Sequence, residues 1–240
     1  MPLVQSSLQK AEFEARIFVS FSIVLTVCLL SATVFAGSPP VLVLLGRPFG
    51  LRASAAISFG FWAEAALMIA VSLLRMWAGS VLTPHRVMAF RVQVDMLKTA
   101  GPYHFVRNPI YLADFVAMCG FSLCLPIAGL LMPALFYAHY TRLIVYEESS
   151  LRRNFGNQFA EYERKTPRLI PGLSNLKACT AAFRDFSLTR EGIRHNALYL
   201  LFVPGFAVAS ITLEFWHVAI IGLPAVVDWA IVHTKLGIKQ

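Results

Sequence analysis

Two short polar stretches flank a long apolar segment and carry residue types that could do chemistry. The first, GPYHFVRNPIYL at residues 101–112, brings together an arginine, an imidazole and two tyrosine hydroxyls. The second opens with the adjacent carboxylates Glu147 and Glu148. Carboxylates accept hydrogen bonds from ribose hydroxyls and attract ammonium or sulfonium groups. The pair therefore suits a cationic cofactor that carries a sugar.

Ionisable residues inside apolar runs are the other candidates, because such residues are costly in a membrane and point to function. Asp114 and Arg142 could neutralise each other as a structural ion pair, or could bind a ligand directly. Glu64 could equally be structural or line a substrate pocket. For His139 the simplest interpretation is a hydrogen-bonded packing residue. Asp228 has no explanation, and the four cysteines show no metal-ligand spacing, so no metal site is predicted.

The composition indicates that lipid surrounds much of the chain. Apolar residues make up 57% of the 240 residues and charged residues only 14%, against about 25% charged in a typical soluble domain. Runs of about 20 apolar residues have the length of a transmembrane helix. The sequence predicts an all-α, polytopic membrane protein with about six such helices, at residues 17–36, 54–78, 110–125, 127–146, 196–213 and 215–233.

The apolar segment between the two polar stretches must fold back on itself. Residues 110–146 would form a straight helix of about 55 Å, nearly twice the thickness of the hydrocarbon. Pro126, Gly129 and Pro133 lie near its middle and predict the turn of a helical hairpin. Both polar stretches then meet at one membrane edge, and Asp114 lies level with Arg142.

An amphipathic helix is predicted directly after the hairpin, at residues 147–165. Leu151, Phe155, Phe159 and Tyr162 follow each other at helical spacing among charged neighbours, a pattern typical of a helix lying in the membrane interface. Gly156 is a candidate break in this helix.

The net charge of +8 has a topological explanation. If the six spans are correct, 17 of the 21 Lys and Arg residues fall on one side. The positive-inside rule then places both termini and the two large polar segments in the cytoplasm. The basic character therefore does not indicate a nucleic-acid partner. The first apolar run is expected to be a retained span rather than a cleaved signal peptide.

The ordered set of motifs resembles a known superfamily. GPYHFVRNPIYL, a hydrophobic hairpin and then EESSLRRNFGNQFAEYERKTPRLIPG are similar to the core of the isoprenylcysteine carboxyl methyltransferase and phospholipid methyltransferase superfamily. That core has a Gly-Pro-Tyr turn, Arg-His-Pro or Arg-Asn-Pro followed by Tyr, a Glu-Glu pair and a closing Pro-Arg-x-Ile-Pro. The resemblance covers roughly residues 80–172.

The resemblance implies an integral membrane methyltransferase that uses S-adenosylmethionine and releases S-adenosylhomocysteine. In relatives, the cofactor lies at the cytoplasmic membrane edge and a lipophilic acceptor enters from the bilayer. The implied cofactor-binding residues are Gly101, Tyr103, His104, Val106, Arg107, Asn108, Pro109, Tyr111, Glu147 and Glu148. The candidates for catalysis are His104, Arg142 and Glu148, and those for binding the acceptor are Glu64, Asp114 and Arg142. The acceptor would be an isoprenylcysteine carboxylate or a phospholipid amine.

The chain departs from the pattern in three places. Asp114 stands where relatives commonly have a small residue, and Asn108 replaces the histidine of the prenylcysteine enzymes. A C-terminal extension at residues 173–240, with a basic segment and two spans, has no counterpart in the family core. It would follow an N-terminal helix pair at 1–79 and the methyltransferase core at 80–172.

Two other functions fit parts of the sequence. A sterol-reductase-like oxidoreductase would use Arg107, Arg152 and Arg153 to bind the phosphates of NADPH. A non-enzymatic membrane protein would leave the motif set without a purpose. Short loops favour a bacterial inner-membrane protein, and the sequence leaves the oligomeric state open.

Overall fold

The computed structural model describes residues 2–82, 96–172, 183, 186–224 and 227. In this part of the chain the elements are helical, and no strand occurs. The helices are α1 (Pro2–Glu14), α2 (Arg16–Thr33), α3 (Val41–Gly46), α4 (Ala53–Val81), α5 (Pro109–Leu123), α6 (Leu131–Lys165), α7 (Arg190–Asn196), α8 (Val203–Thr212) and α9 (216–224). Short 3₁₀ turns stand at Arg47–Phe49, Gly101–His104, Ile127–Leu130 and Leu198–Phe202.

The chain forms two compact units, and each contains three separated segments. The first contains Met1–Ser22, Leu74–Ala113 and Phe136–Asn196. The second contains Ile23–Leu73, Asp114–Leu135 and Ala197–Gln240. The division at 1–79, 80–172 and 173–240 stays a prediction from sequence motifs.

Helices long and apolar enough to cross a membrane are present, as in an integral membrane protein of the all-helical class. Helices α2 and α4 are each long and apolar enough to cross a bilayer, and the bent pair Arg190–Asn196 and Leu198–Thr212 could be a third span. Helix α5 is apolar but has only 15 residues. The total of six transmembrane helices therefore stays a prediction. Part of the last predicted span, at 215–233, lies outside the described residues, and so does Asp228.

The predicted hairpin turn lies between α5 and α6. The N–H of Gly129 donates to the carbonyl of Pro126 at 2.7 Å. A Cβ at position 129 would collide with the carbonyl oxygen of Ser122, so only glycine fits this turn. Pro126 and Gly129 thus act in the turn as the sequence predicts.

Helix α6 differs from the prediction at its middle. The polar helix expected to begin at residue 147 is the continuation of the second hairpin helix, because α6 (Leu131–Lys165) has no break before Gly156. No proline or glycine between 134 and 155 interrupts it. The break comes at Gly156, where φ is 45° and ψ is −117°, as predicted.

Each unit has its own apolar core. In the first unit, Trp77, Phe105 and Val106 form a buried cluster, and the rings of Phe183 and Phe186 lie 5.0 and 5.3 Å from that of Trp77. In the second unit, the ring of the fully buried Phe206 lies 6.1 Å from that of Phe61 and 5.4 Å from that of Phe121. The first core supports the Gly101–His104 turn beside the candidate site.

Candidate active site

The Glu148 carboxylate joins three segments of the first unit. It is 2% exposed. Its Oε1 accepts hydrogen bonds from Nε of Arg107 at 2.9 Å and Nδ2 of Asn108 at 3.2 Å, and its Oε2 accepts from Nε of Arg168 at 2.9 Å. A buried carboxylate is costly unless it is paired and hydrogen-bonded, and here both oxygens have partners. Glu148 therefore holds the Arg-Asn-Pro stretch and Arg168 against α6.

The Arg107 guanidinium closes the end of α6. Its Nη1 donates to the carbonyls of Glu163 at 2.9 Å and Thr166 at 2.6 Å, and its backbone N–H donates to Pro167 at 2.9 Å. The last carbonyls of a helix have no partner within the helix, and a cation at this end also meets the negative pole of the helix. Arg107 is thus committed to protein groups on every side.

Glu147 is the member of the acidic pair that keeps binding capacity. Its Oε1 accepts a hydrogen bond from the Tyr111 hydroxyl at 2.7 Å. Its Oε2 makes no hydrogen bond to the residues that the structure describes. Burial raises the pKa of the Glu147 carboxyl and the neighbouring Glu148 adds to this rise, whereas the Tyr111 hydrogen bond and the Arg16 charge oppose it. A ligand donor or cation would find one carboxylate oxygen available.

The Gly101–His104 turn lies beside this pair. Gly101 has φ +58°, and a Cβ there would come within 2.9 Å of Val81 Cγ2. The carbonyl of Tyr103 accepts a hydrogen bond from the Tyr162 hydroxyl at 2.7 Å. Burial raises the pKa of the Tyr103 phenol well above its usual value, and Tyr162 and Glu147 act in the same direction. His104 is exposed and makes no hydrogen bond or ion pair to the described residues.

Two residues of the implied cofactor set have structural roles. The Val106 side chain is 0% exposed and lies in the apolar cluster with Trp77, and its place in the cofactor site stays a prediction. Pro109 is the first residue of α5, a position where the missing N–H of proline has no helical partner to lose.

Asp114 and Arg142 each have their own partner, in place of the mutual ion pair that the sequence allowed. Oδ1 of Asp114 accepts a hydrogen bond from the Tyr199 hydroxyl at 2.9 Å within the second unit. In the first unit, Nη2 of Arg142 lies 2.9 Å from Oε2 of Glu12, although the arginine side chain is 70% exposed. The predicted acceptor-binding role of both residues stays a prediction.

Glu64 is buried in the second unit. Glu64 is 4% exposed, and its Oε2 has no hydrogen-bond partner among the residues that the structure describes. The carboxyl lies against Gly120 of α5, where a Cβ would overlap Oε2.

Several partners in the site were not found by sequence reasoning. Glu163, Thr166 and Arg168 contact Arg107 or Glu148, and Tyr162 holds the Gly101–His104 turn. All four lie within the second motif, at residues 147–172. Their contacts with the segment around residue 107 become visible only in the folded structure. Glu12 stands in a region without any motif, so no signal in the sequence pointed to it.

Comparisons with known proteins agree with this part of the chain. Residues 54–158 match the family model described as phospholipid methyltransferase. Protein-S-isoprenylcysteine O-methyltransferase B of Arabidopsis thaliana is 29% identical over 89 residues, which are 36% of this chain and 45% of that protein. The protein-S-isoprenylcysteine O-methyltransferase of Schizosaccharomyces pombe is 30% identical over 89 residues, 36% of this chain and 38% of that protein.

A further relative carries a different name. The nickel-cobalt-cadmium resistance protein NccN of Alcaligenes xylosoxydans xylosoxydans is 37% identical over 81 residues, 32% of this chain and 37% of that protein. The chain spans less than half the length of each of these relatives. No solved structure matches the chain. The matched residues 54–158 hold the Arg-Asn-Pro stretch and the Glu147–Glu148 pair, and this part of the chain is similar to the isoprenylcysteine carboxyl methyltransferase and phospholipid methyltransferase superfamily.

Proposed function

We propose that this chain is a membrane methyltransferase that moves the methyl group of S-adenosylmethionine to a lipophilic acceptor and releases S-adenosylhomocysteine. The acceptor class is an isoprenylcysteine carboxylate or a phospholipid amine that reaches the site from the bilayer. The observation that carries the proposal is the Glu147 carboxylate, which Tyr111 fixes at 2.7 Å while its second oxygen has no partner in the described protein. The similarity of residues 54–158 to the phospholipid methyltransferase family model supports the reaction class.

The residues present fit a cofactor that combines an amine, a ribose and a sulfonium. Glu147 would accept hydrogen bonds from its hydroxyls or ammonium group. The exposed His104 lies on the turn that Tyr162 holds through the Tyr103 carbonyl, and it would contact the cofactor from that side. When bound, the cofactor would supply an electrophilic methyl group for direct displacement.

The remaining contribution of the chain is alignment. Methyl transfer between two bound partners depends mainly on holding them in line in a site that excludes water. Glu148 and Arg107 would act as positioning residues, because their hydrogen bonds fix the relative position of α6 and the residue 107–109 stretch. Loss of this clamp would disturb the Tyr111–Glu147 pair, whose residues lie on the same two segments.

The arginine contacts favour methyl transfer over the reductase alternative. Phosphates of NADPH would need available arginines. Arg107 is occupied by Glu148 and by α6 carbonyls, and Nη2 of Arg152 lies 2.9 and 2.7 Å from the two carboxylate oxygens of Glu163. Arg153 has no acidic partner among the described residues, where it hydrogen-bonds to Ser149.

Ligand-induced thermal shifts of the detergent-purified protein test the proposal. S-adenosylmethionine and S-adenosylhomocysteine should raise the unfolding temperature, and NADPH should not. Stabilisation by NADPH alone would establish the reductase, and stabilisation by none of the three would favour a non-enzymatic protein. Glu147→Gln should lower the affinity for S-adenosylhomocysteine about tenfold to a hundredfold, which corresponds to the loss of one charged hydrogen bond. The control is Glu161→Gln, an exposed α6 residue paired only with Lys165.

We also propose that both termini face the cytoplasm, in a bacterial inner membrane. The distribution of Lys and Arg supports this orientation. Single cysteines placed at residues 7 and 49 of a cysteine-free variant test it, because an impermeant maleimide applied to intact cells should label position 49 and not position 7. Labelling of position 7 but not of position 49 would show the opposite orientation.

A further inference from the structure

A second cluster of ionisable side chains lies where α1 packs on α6. Oε2 of Glu12 lies 2.9 Å from Nη2 of Arg142, and Oε1 lies 3.9 Å from Nδ1 of His139. The His139 residue is 5% exposed. Glu12 lies outside the matched residues 54–158. The proposed function uses neither His139 nor Glu12.

The packing of α1 fixes Glu12 in this position. The neighbouring Phe13 is buried, and its ring lies 5.4 Å from that of Tyr146 on α6. The Arg16 guanidinium lies 4.3 Å from the Phe13 ring centre, and its Nη1 donates to the Phe13 carbonyl at 2.9 Å. The packing of its neighbours therefore holds Glu12 in place in addition to its own ion pair. The distance from Glu12 to His139 is fixed by this packing.

The His139 ring has one nitrogen with a carboxylate and one without a partner. Nε2 is buried and has no hydrogen-bond partner in the described protein, a situation that calls for a specific explanation in a native structure. A carboxylate facing Nδ1 favours the tautomer that carries its proton there, which leaves a lone pair on Nε2. At 3.9 Å the contact is an ion-pair distance, longer than a hydrogen bond, and it matches the loose geometry in which a structure without ligand can hold a base and the carboxylate that orients it.

Side-chain contacts connect this histidine to the Glu147 site. The His139 ring lies 5.7 Å from the Tyr140 ring, which lies 5.1 Å from the Tyr111 ring. The Tyr111 hydroxyl donates to Glu147. Along α6, Glu147 follows His139 by eight residues, or about 12 Å of helix. Both residues therefore belong to one continuous side-chain path in the first unit.

We propose that His139 is the general base for an acceptor that carries an exchangeable proton, a thiol or an amine, and that Glu12 is its positioning residue. The inference rests on the proposed function and revises its acceptor class: the amine is kept, the carboxylate is excluded and a thiol is added. The acceptor's S–H or N–H bond breaks and its proton goes to Nε2, while its lone pair bonds to the methyl carbon. The bond from methyl to sulfonium breaks, and its electron pair stays on the departing thioether sulfur.

The neighbours of His139 suit this proton transfer. The Glu12 carboxylate stabilises the imidazolium that forms, and Arg142 keeps Glu12 in place. A carboxylate acceptor is already an anion and would leave Nε2 unused. His104, the alternative base expected from sequence, is exposed and has no carboxylate to orient it.

Three amphiphiles that differ in their nucleophile test the inference: farnesyl thiol, oleylamine and N-acetyl-S-farnesylcysteine, whose nucleophile is a carboxylate. Transfer of a tritiated methyl group is measured on the detergent-purified full chain. Wild type should methylate the thiol or the amine. His139→Gln should lower that kcat about a hundredfold or more, as expected for loss of a general base, and should remove the acidic limb of the kcat profile against pH.

Variants of Glu12 distinguish a role in positioning His139 from a role only in the stability of the protein. Glu12→Gln should lower kcat about tenfold with little change in KM for the cofactor, and Glu12→Asp should restore part of the loss. Glu14→Gln is the matched control, because Glu14 lies on the same helix and, within the described part of the chain, its ion pair is with the exposed Lys10. If His139→Gln fails to fold, the Glu12 variants provide the test. The Glu12 side chain is 19% exposed, so its substitution should disturb folding less than that of the buried His139.

Binding of S-adenosylhomocysteine, measured as a thermal shift, distinguishes failure of this inference from failure of the proposed function. The His139, Glu12 and Glu14 variants should all retain this binding. If the protein binds the compound but methylates only the carboxylate, or none of the three amphiphiles, the inference is overturned and the proposed cofactor stands. An unchanged kcat and pH profile in His139→Gln would overturn it equally. Absence of binding in wild type would defeat the proposed function itself.

Discussion

Two adjacent carboxylates have different surroundings in this protein. Glu148 has both oxygens bonded to Arg107, Asn108 and Arg168, whereas Glu147 has one oxygen on Tyr111. The sequence identified the pair but assigned both members to the cofactor. Partners of Glu148 lie 20 to 41 residues away, so no local pattern could separate a clamp from a binding group.

Exchange of each carboxylate for an amide should separate the two roles. Glu148→Gln removes the charge partner of the half-exposed Arg168 and leaves the buried Arg107 with only the longer ion pair to Glu163 at 3.5 Å; breaking a buried pair costs about 3–5 kcal/mol. Its unfolding temperature should fall clearly, while Glu147→Gln should unfold near wild type. Thermal unfolding of both variants in one detergent provides the measurement. Equal unfolding temperatures would show that Glu148 is not a clamp.

The pH dependence of cofactor affinity should report on Glu147. Burial raises its pKa, so the carboxyl takes up a proton at a higher pH than an ordinary glutamate does. As pH falls through that raised value, the carboxylate is lost and affinity for S-adenosylhomocysteine should decrease. The decrease should therefore begin above the usual glutamate range. Isothermal titration across a pH series should show it in wild type and not in Glu147→Gln; identical profiles would contradict the assignment.

At the scale of elements, glycines and prolines made the fold partly predictable. Pro126, Gly129 and Gly156 act where the sequence placed a turn and a break, because their effects are local. The extent of α6 was missed, since a change from apolar to polar composition at residue 147 does not end a helix. The contacts of Arg107 with the end of α6 depend on the path of the whole hairpin, which local patterns do not specify.

Gly101 should be required both for its backbone conformation and for space. Its φ is +58°, and a Cβ would meet Val81 and Trp77. Gly101→Ala should therefore lower the free energy of unfolding by about 2–3 kcal/mol. Gly50→Ala is the matched control, with φ +69° and no atom within 4 Å, so it should lose only the about 1–2 kcal/mol of the left-handed backbone. Denaturation by heat compares the two, and equal losses would argue against crowding at Gly101.

At the scale of the molecule, residues beyond the family match complete the second unit. Tyr199 donates to Asp114 at 2.9 Å, and Phe206 packs with Phe61 and Phe121. The sequence singled out Asp114 as a departure from the family and the C-terminal segment as an unexplained addition. The structure connects the two observations, which no single motif could do because the partners lie 85 residues apart.

The Asp114–Tyr199 pair should therefore behave as a coupled unit. Tyr199→Phe removes a donor from a carboxylate and should destabilise the protein by about 1–3 kcal/mol. Asp114→Asn should have a similar effect, and the double variant should lose less than the sum of the two. A double-mutant cycle of thermal unfolding measures the coupling. Additive losses would show that the hydrogen bond contributes nothing of its own.

The contact between Glu64 and Gly120 restricts how this chain can diverge. The carboxyl of Glu64 fills the volume that a side chain at position 120 would need. Any descendant that gains even a methyl group at 120 must first shorten or reorient residue 64. The two positions are thus expected to covary among sequences of this type, with a small residue at 120 wherever a long acidic one stands at 64.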